Sequence, residues 1–252
     1  MGYLTVTGIV TRYVNYKDND RILTLFTREM GRIDARARGC RRPKSPLLAC
    51  SQPFVFGEYQ IFAGKERYSI DQCDVRETFY PLREDMDRFA VGSMMLSLSQ
   101  HAVQEGEPNS DLFSLLYHGL SFLCYGEANP LDIGLCFTTR YVQATGFCPV
   151  ITCCAACGAD LRAMHTACFD PRAGGALCDD CAKLEGAPNS VSCLTLEAMR
   201  RMLQMEDKDM GRVRLPDSVR RELHALLEKY CTHIFERESR PLMALKPLLP
   251  TG

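Results

Sequence analysis

The sequence lacks the short motifs that mark many enzyme active sites. It contains no G-x-x-x-x-G-K-[ST] phosphate loop, no G-x-S-x-G nucleophile elbow, no H-E-x-x-H metal motif and no G-x-G-x-x-G dinucleotide motif. A zinc deaminase is excluded as well, because no histidine is followed two residues later by glutamate. These absences favour a protein that works by binding over an enzyme.

Long apolar runs and strong net charge are also missing. No stretch of about 18 apolar residues occurs, so we predict no transmembrane helix. The first eight residues, Met-Gly-Tyr-Leu-Thr-Val-Thr-Gly, have neither the basic nor the apolar region of a signal peptide. The formal net charge is only −1, so any affinity for nucleic acid must come from local clustering of basic residues. We therefore expect a cytoplasmic protein with no membrane partner.

Cysteine, in contrast, is abundant and unevenly placed. Cys154-Ala-Ala-Cys157 and Cys178-Asp-Asp-Cys181 form two C-x-x-C pairs separated by a spacer of twenty residues (158–177). Two such pairs supply the four thiolates of a tetrahedral structural zinc site, and a site closed in this way leaves no position for catalytic water. We predict one structural Zn²⁺ per chain. Reduced buried thiols and a redox-active C-x-x-C pair are the alternatives, and neighbouring Cys153 or His165 could replace one ligand.

The pattern of apolar residues divides the chain into a β-rich part and a helical part. Five strands are predicted before residue 80, which suits a small closed barrel of OB or SH3-like type: Leu4–Val14, Ile22–Thr27, Arg32–Arg38, Phe54–Phe62 and Tyr68–Cys73. After Pro81 the period becomes helical. We predict an α+β protein with a barrel over residues 1–80, a helical domain over 81–252 and a zinc-binding insertion at about 148–183.

Three features of the helical part can be predicted in more detail. The first helix should bury the face formed by Met86, Phe89, Ala90, Met94, Leu98 and His101. Asn129-Pro130 predicts the capped start of another helix. Two further helices are expected near Leu194–Met205 and Pro216–Arg237.

Positive charge is concentrated in the barrel. Residues 1–80 carry 13 Lys and Arg against 9 Asp and Glu, whereas residues 81–252 carry 17 against 22. In the third strand, alternation should bury Ile33, Ala35 and Ala37 and turn the basic side chains outward. The candidate DNA-binding residues are Arg32, Arg36, Arg38, Arg41, Arg42 and Lys44. Tyr13, Tyr16, Tyr59 and Tyr68 are candidates for stacking on bases. A solvated, charge-rich surface without a ligand is the alternative interpretation.

Several segments of the sequence resemble one known family. Asn19-Asp20-Arg21-Ile22-Leu23, Leu25-Phe26-Thr27 and Gly31-Arg32 are similar to the amino-terminal pattern of the RecO family of bacterial recombination mediators. Ala37 to Ser45 is similar to the basic segment of that family, and the two C-x-x-C pairs with Gly174-Gly175 resemble its zinc finger. Asn15 to Asp18 and the additional Cys153 depart from the usual pattern.

The resemblance implies an amino-terminal OB-fold, a helical domain with a zinc finger and a role in DNA repair by the RecF pathway. The expected activities are binding of single- and double-stranded DNA, annealing of complementary strands and assistance to RecA loading. The implied partners are RecR, the acidic C-terminal tail of single-strand binding protein and, indirectly, RecA, at a nucleoid-associated location. For the tail, Arg140, Arg200 and Arg201 are candidate contacts. An RNA- or ribosome-associated OB-fold and zinc-finger protein is the alternative, since both modules also serve in RNA binding.

Overall fold

A closed five-stranded barrel forms the first part of the chain. The computed structural model describes residues 2–64, 67–162, 166–186, 190–236 and 238–250. The barrel strands are β1 (Gly2–Tyr16), β2 (Asp20–Thr27), β3 (Gly31–Ala37), β4 (Phe56–Ala63) and β5 (Tyr68–Glu77). Their order around the barrel is β1-β2-β3-β5-β4, with β4 pairing back to β1. This is an OB-like barrel, and the five strands predicted from the sequence are confirmed.

Alternation of side chains along each strand fills the barrel. Ile33, Ala35 and Ala37 are buried as predicted, and Leu23 and Leu25 of β2 join them in the same core. Ala35 to Ala37 pair in parallel with Tyr68 to Ile70, which closes the barrel between β3 and β5.

Two helices pack with the barrel in one compact unit. Contacts divide the chain into residues 1–125 and 126–252. The first unit contains the barrel, α1 (Met86–Ala102) and α2 (Ser110–Tyr125). The domain boundary at residue 80 inferred from the sequence stays a prediction.

Helix α1 buries only part of the predicted face: Met94 and Leu98 are buried as predicted, but both ends of that face are exposed. Met86 is 88% exposed and Phe89 is 47% exposed, whereas Val91, Met94, Met95 and Leu98 are buried. His101 is exposed as well. Gly92 lies on the buried side, where the ring of Phe54 comes within 3.0 Å of the position a Cβ would occupy. The sequence pattern did not identify the whole buried face, because Gly92 and the buried Ser99 lie on it but are not apolar residues.

The second unit is helical and carries the cysteine-rich segment. Its elements are α3 (Pro130–Ala144), β6 (Thr166–Asp170), β7 (Gly175–Leu177), α4 (Asp179–Glu185), β8 (Ser190–Ser192), α5 (Cys193–Gln204), α6 (Asp217–Ile234) and α7 (Arg240–Met243). Asn129 caps α3 through a hydrogen bond from Leu131 N, as predicted. Asp132 of α3 is fully buried and accepts two hydrogen bonds from Arg220 of α6, at 2.7 and 3.0 Å. In the part of the chain that the structure describes, no helix is long and apolar enough to cross a membrane.

The turn between β2 and β3 is fastened to the segment between α1 and α2. Gly31 forms an antiparallel backbone β-bridge with Glu105. Arg32 N donates to Gln104 O at 3.2 Å, and Gly106 N donates to Met30 O at 3.0 Å. Gly31 has a φ of +70°, and a Cβ there would lie 2.2 Å from Gln104 O. Only glycine therefore fits both the backbone conformation and the close approach.

Replacing Gly31 by alanine should destabilise the first unit by several kcal/mol, because the methyl group adds a steric clash to the strain of positive φ. Gly106→Ala is the matched control: its φ is +80°, but no atom lies within 4 Å of the added Cβ. The control should cost only about 1–2 kcal/mol. Urea unfolding of both variants measures the difference, and equal costs would show that the contact with Gln104 does not constrain the fold.

Candidate metal centre and nucleic-acid surface

The two C-x-x-C pairs come together in space. One ligand atom from each of Cys154, Cys157, Cys178 and Cys181 lies within 4.8 Å of all the others. The Sγ atoms of Cys157 and Cys178 are 3.8 Å apart. Four sulfurs placed about 2.3 Å from a central zinc ion in tetrahedral geometry would also lie about 3.8 Å apart. We call these four residues the thiol cluster; its size and composition suit a tetrahedral metal ion.

Short backbone turns build the two halves of the thiol cluster. Gly158 has a φ of +77° and donates its N–H to Cys154 O at 2.9 Å, which closes the first turn. Cys178 stands at the N-cap position of α4, so Cys181 lies in the first turn of that helix. Backbone N–H groups surround the sulfurs there, and Cys178 N donates to Cys154 Sγ at 3.4 Å.

The same N–H groups favour thiolate at the cluster. Burial opposes ionisation of Cys154, but the N–H groups of Cys157, Cys178 and Ala156 outweigh it and lower the pKa of this thiol to about 6. Hydrogen bonding to Cys178 raises the pKa of Cys181 to about 12, because neighbouring sulfurs cannot all be charged without a cation between them. A divalent cation would remove this conflict.

Backbone contacts hold the two halves in register. Val150 N donates to Gly174 O at 3.0 Å, Ala176 N donates to Val150 O at 2.8 Å and Ala155 N donates to Ala176 O at 2.8 Å. A Cβ on Gly175 would lie 2.1 Å from Val150 O, which explains why the sequence has glycine there. Cys153 forms an isolated backbone β-bridge with Asp160 and is not part of the thiol cluster. His165 lies outside the described residues.

The basic segment after β3 lies at the surface of the barrel. Arg38, Arg41, Arg42 and Lys44, which we call the basic loop, are all exposed. Arg41 is held at its backbone and at its guanidinium, since its N–H donates to Asn19 O and its Nη1 donates to Asp18 O, each at 3.0 Å. The basic loop is thereby fixed beside the turn that joins β1 and β2.

Asp20 ties this region together. Its Oδ1 accepts from Gly39 N at 2.7 Å, and its Oδ2 accepts from Arg36 Nε at 2.9 Å and Nη2 at 2.5 Å. The hydrogen bond from Gly39, followed by that from Arg36, lowers the pKa of Asp20 below its usual value. Asp20 is therefore fully charged at neutral pH and anchors both β3 and the start of the basic loop.

The six basic residues predicted from the sequence fall into two groups. Arg32 and Arg36 are half-buried and bonded within the protein, Arg32 through Nη1 to Gln100 O at 3.2 Å and Arg36 to Asp20. The four residues of the basic loop are exposed, and one of them, Arg41, also donates from its guanidinium to Asp18 O. Their role in DNA binding stays a prediction, and the structure gives the basic loop the more accessible charge.

Of the four predicted stacking tyrosines, one is completely buried and three are half-buried. Tyr59 is completely buried and donates to Cys50 O at 3.2 Å, so it is wrong as a stacking candidate. Tyr68 donates its hydroxyl to Glu105 at 2.7 Å, and the guanidinium of Arg21 lies 3.9 Å from the ring centroid of Tyr13. Tyr16 is half-buried next to the basic loop.

Sequence reasoning missed two cations on the barrel surface, Arg12 and Lys17. Arg12 is exposed opposite Thr24 of β2, and Lys17 is exposed in the turn after β1. Arg12 lies two residues before Val14 and therefore on the same outward face of β1, and Lys17 directly follows the strand; these positions were the signal that could have identified them.

A groove in the second unit combines an apolar floor with arginines at its rim. We call it the tail groove; it has a volume of about 460 Å³ and is lined by Leu194, Ala198, Met202, Met205, Val213, Leu215, Pro216 and Val219, with Glu197, Arg201, Asp209, Arg212 and Arg214. Arg201, Arg212 and Arg214 are exposed, and Arg201 pairs with Glu197 at 2.9 Å and Arg212 with Asp209 at 2.7 Å. In contrast, Arg140 pairs with Asp207 at 2.8 Å and Arg200 donates to Ile151 O at 2.8 Å, so both are largely buried.

Comparison with known proteins gives a consistent answer over nearly the whole chain. Residues 1–79 match the family profile "Recombination protein O N terminal" and residues 83–241 match "Recombination protein O C terminal". A "DNA repair protein RecO" of Acetivibrio thermocellus is 30% identical over 98% of both chains. The proteins of the same description from Desulforamulus reducens and Pelotomaculum thermopropionicum are 31% and 33% identical over 92% of this chain and 89% of their own. With its OB-like barrel and its thiol cluster, the chain belongs to the RecO family of DNA repair proteins.

Proposed function

We propose that this protein is a recombination mediator that binds single- and double-stranded DNA and anneals complementary strands. The observation that carries the proposal is the basic loop, which presents four exposed cations beside the outer face of an OB-like barrel. This face and its adjoining loops form the oligonucleotide-binding surface of many OB-folds. The relatives described as DNA repair proteins support DNA over RNA as the ligand.

Annealing follows from simple electrostatics. Two complementary strands repel each other, and a cationic surface lowers this repulsion while releasing condensed counterions. Contacts to phosphate carry no sequence information, so the strands can slide until their bases pair. The protein makes and breaks no covalent bond in this process. We therefore propose a non-enzymatic role, with assistance to RecA on DNA coated by single-strand binding protein and RecR as a partner, in the cytoplasm at the nucleoid.

The basic loop should determine how strongly DNA binding depends on salt. Changing Arg38, Arg41 and Arg42 together to alanine should weaken binding to all sequences and reduce the slope of log affinity against log salt by about 2 for single strands. The control triple variant, Arg162→Ala, Lys183→Ala and Lys208→Ala, changes the net charge equally at exposed positions of the second unit. Fluorescence anisotropy in a salt titration measures both slopes. Equal slopes in wild type and the basic-loop variant would locate the DNA site elsewhere.

We propose that the thiol cluster holds one structural Zn²⁺. The four thiolates would complete its coordination, and the ion would supply cross-linking of the two halves and no catalysis. Structural zinc typically contributes roughly 10 kcal/mol or more of apparent binding energy to such folds.

Cys154→Ser or Cys178→Ser should therefore release the metal and destabilise the second unit by several kcal/mol, while the barrel keeps its fold. Cys153→Ser is the matched control and should retain one zinc per chain, because this neighbouring thiol lies outside the thiol cluster. Metal analysis and limited proteolysis of the three variants provide the measurements. Full zinc content in both ligand variants would disprove the assignment.

We propose the tail groove as the site for the acidic C-terminal tail of single-strand binding protein. Its apolar floor suits the apolar side chains of a peptide, and its rim arginines suit the carboxylates. This replaces Arg140 and Arg200 as candidate contacts by Arg212 and Arg214, which project at the rim, and retains Arg201.

Reversing two rim charges, by Arg212→Glu with Arg214→Glu, should weaken binding of a tail peptide by about ten-fold, because each reversal removes an exposed ion pair that contributes up to about 1 kcal/mol, and about 1.4 kcal/mol corresponds to ten-fold in affinity. Arg162→Glu reverses a charge of the second unit outside the tail groove and should leave the affinity within about two-fold. Calorimetric titration of the full chain with the peptide tests this. Unchanged affinity in the double variant would exclude the tail groove.

A further inference from the structure

A partly exposed apolar strip lies on the outer face of the barrel beside the basic loop. Val14 of β1 pairs with Ile22 of β2, and Tyr16 pairs with Asp20. Val14 is 48% exposed, and Tyr16 and Ile22 are half-buried. Because side chains two residues apart on a strand share a face, Val14 and Tyr16 project from the same side of β1. We call Val14, Tyr16 and Ile22 the outer strip.

Positive charge surrounds the outer strip. The Nζ of Lys17 lies over the Tyr16 ring at 5.6 Å from its centroid, and the Cζ of Arg36 lies over the ring at 5.1 Å. Arg36 also pairs in register with Ile22, which places its side chain on this face. Arg12 precedes the strip on β1, and Arg38 follows Arg36 at the end of β3; both are exposed. An aromatic ring framed by cations is suited to a ligand that carries both flat rings and phosphates.

We propose that the outer strip is a stacking platform for unpaired bases, with Tyr16 as its principal contact. This inference rests on the proposed function, because the basic loop must bring the strand to the barrel. Phosphates are present in both single and double strands, whereas only unpaired bases expose their faces. The basic loop would therefore provide affinity for any DNA, and the outer strip would add a preference for single strands.

If the outer strip is a stacking platform, two kinds of substitution should have different effects on DNA binding. Removing a charge of the basic loop changes the salt dependence, because fewer counterions are released. Removing the neutral ring of Tyr16 leaves the salt slope unchanged and removes only the contribution of the bases. Stacking of one base on one aromatic side chain contributes at least about five-fold in affinity.

The decisive comparison uses two strands of equal length and charge, oligo-dT and an abasic deoxyribose-phosphate strand. The wild-type chain should bind oligo-dT at least about five-fold more tightly than the abasic strand. Tyr16→Ala should remove this preference, whereas Tyr16→Phe should keep it. Tyr3→Ala is the matched control: Tyr3 is a 60% exposed tyrosine near the start of β1, and it should leave the preference intact. Tyr16→Thr provides a second ring-free variant with high strand propensity should the alanine variant unfold.

Fluorescence can report directly on the contact between position 16 and a base, because the chain contains no tryptophan. In Tyr16→Trp the single indole reports on its own surroundings. Its fluorescence should be quenched by oligo-dT and not by the abasic strand.

Each outcome bears on a separate claim. Equal affinity of the wild type for both strands, a preference that persists without the ring at position 16, or unchanged indole emission on bound oligo-dT would overturn the platform while leaving the proposed function in place. Failure of the wild type to bind either strand would overturn the proposed function itself. Loss of the preference together with an unchanged salt slope would support the platform.

Discussion

The candidate DNA surface depends on the hydrogen bonds that the carboxylate of Asp20 accepts. This carboxylate bonds to Gly39 at the start of the basic loop and to Arg36 on β3, from a position at the beginning of β2. Three pieces of backbone are thereby fixed by one buried acidic group. The low pKa of Asp20 means that this stabilisation is fully present at neutral pH and is lost only as acid protonates the folded state.

This arrangement also resolves a problem of like charge. Seven basic residues between positions 28 and 44 would repel one another if all of them pointed to the same patch of solvent. Arg36 is neutralised by Asp20, and Arg32 donates to the backbone of α1, so the unpaired positive charge is concentrated in the basic loop. Affinity for a polyanion thus arises in a chain whose net charge is −1.

The two units carry different candidate sites. The first unit presents the exposed basic loop and the half-buried Tyr16 on its barrel. The second unit contains nearly equal numbers of acidic and basic residues, and it carries the thiol cluster and the tail groove. Its buried Asp132–Arg220 pair joins α3 to α6, so the helices that frame the cysteine-rich segment are connected by a specific polar contact.

The sequence by itself determined the elements whose signal is local. The five strands, the capped start of α3 and the pairing of Cys154-x-x-Cys157 with Cys178-x-x-Cys181 follow from side-chain alternation, capping chemistry and ligand spacing. Only the tertiary structure decided which residues of each set share a surface. In the folded chain, α1 buries the side that contains Gly92, and Tyr59 is buried in the barrel. Arg36 bonds to Asp20, and Cys153 lies outside the thiol cluster. These outcomes depend on contacts between residues far apart in the chain, and a periodic pattern along one strand or helix does not contain that information.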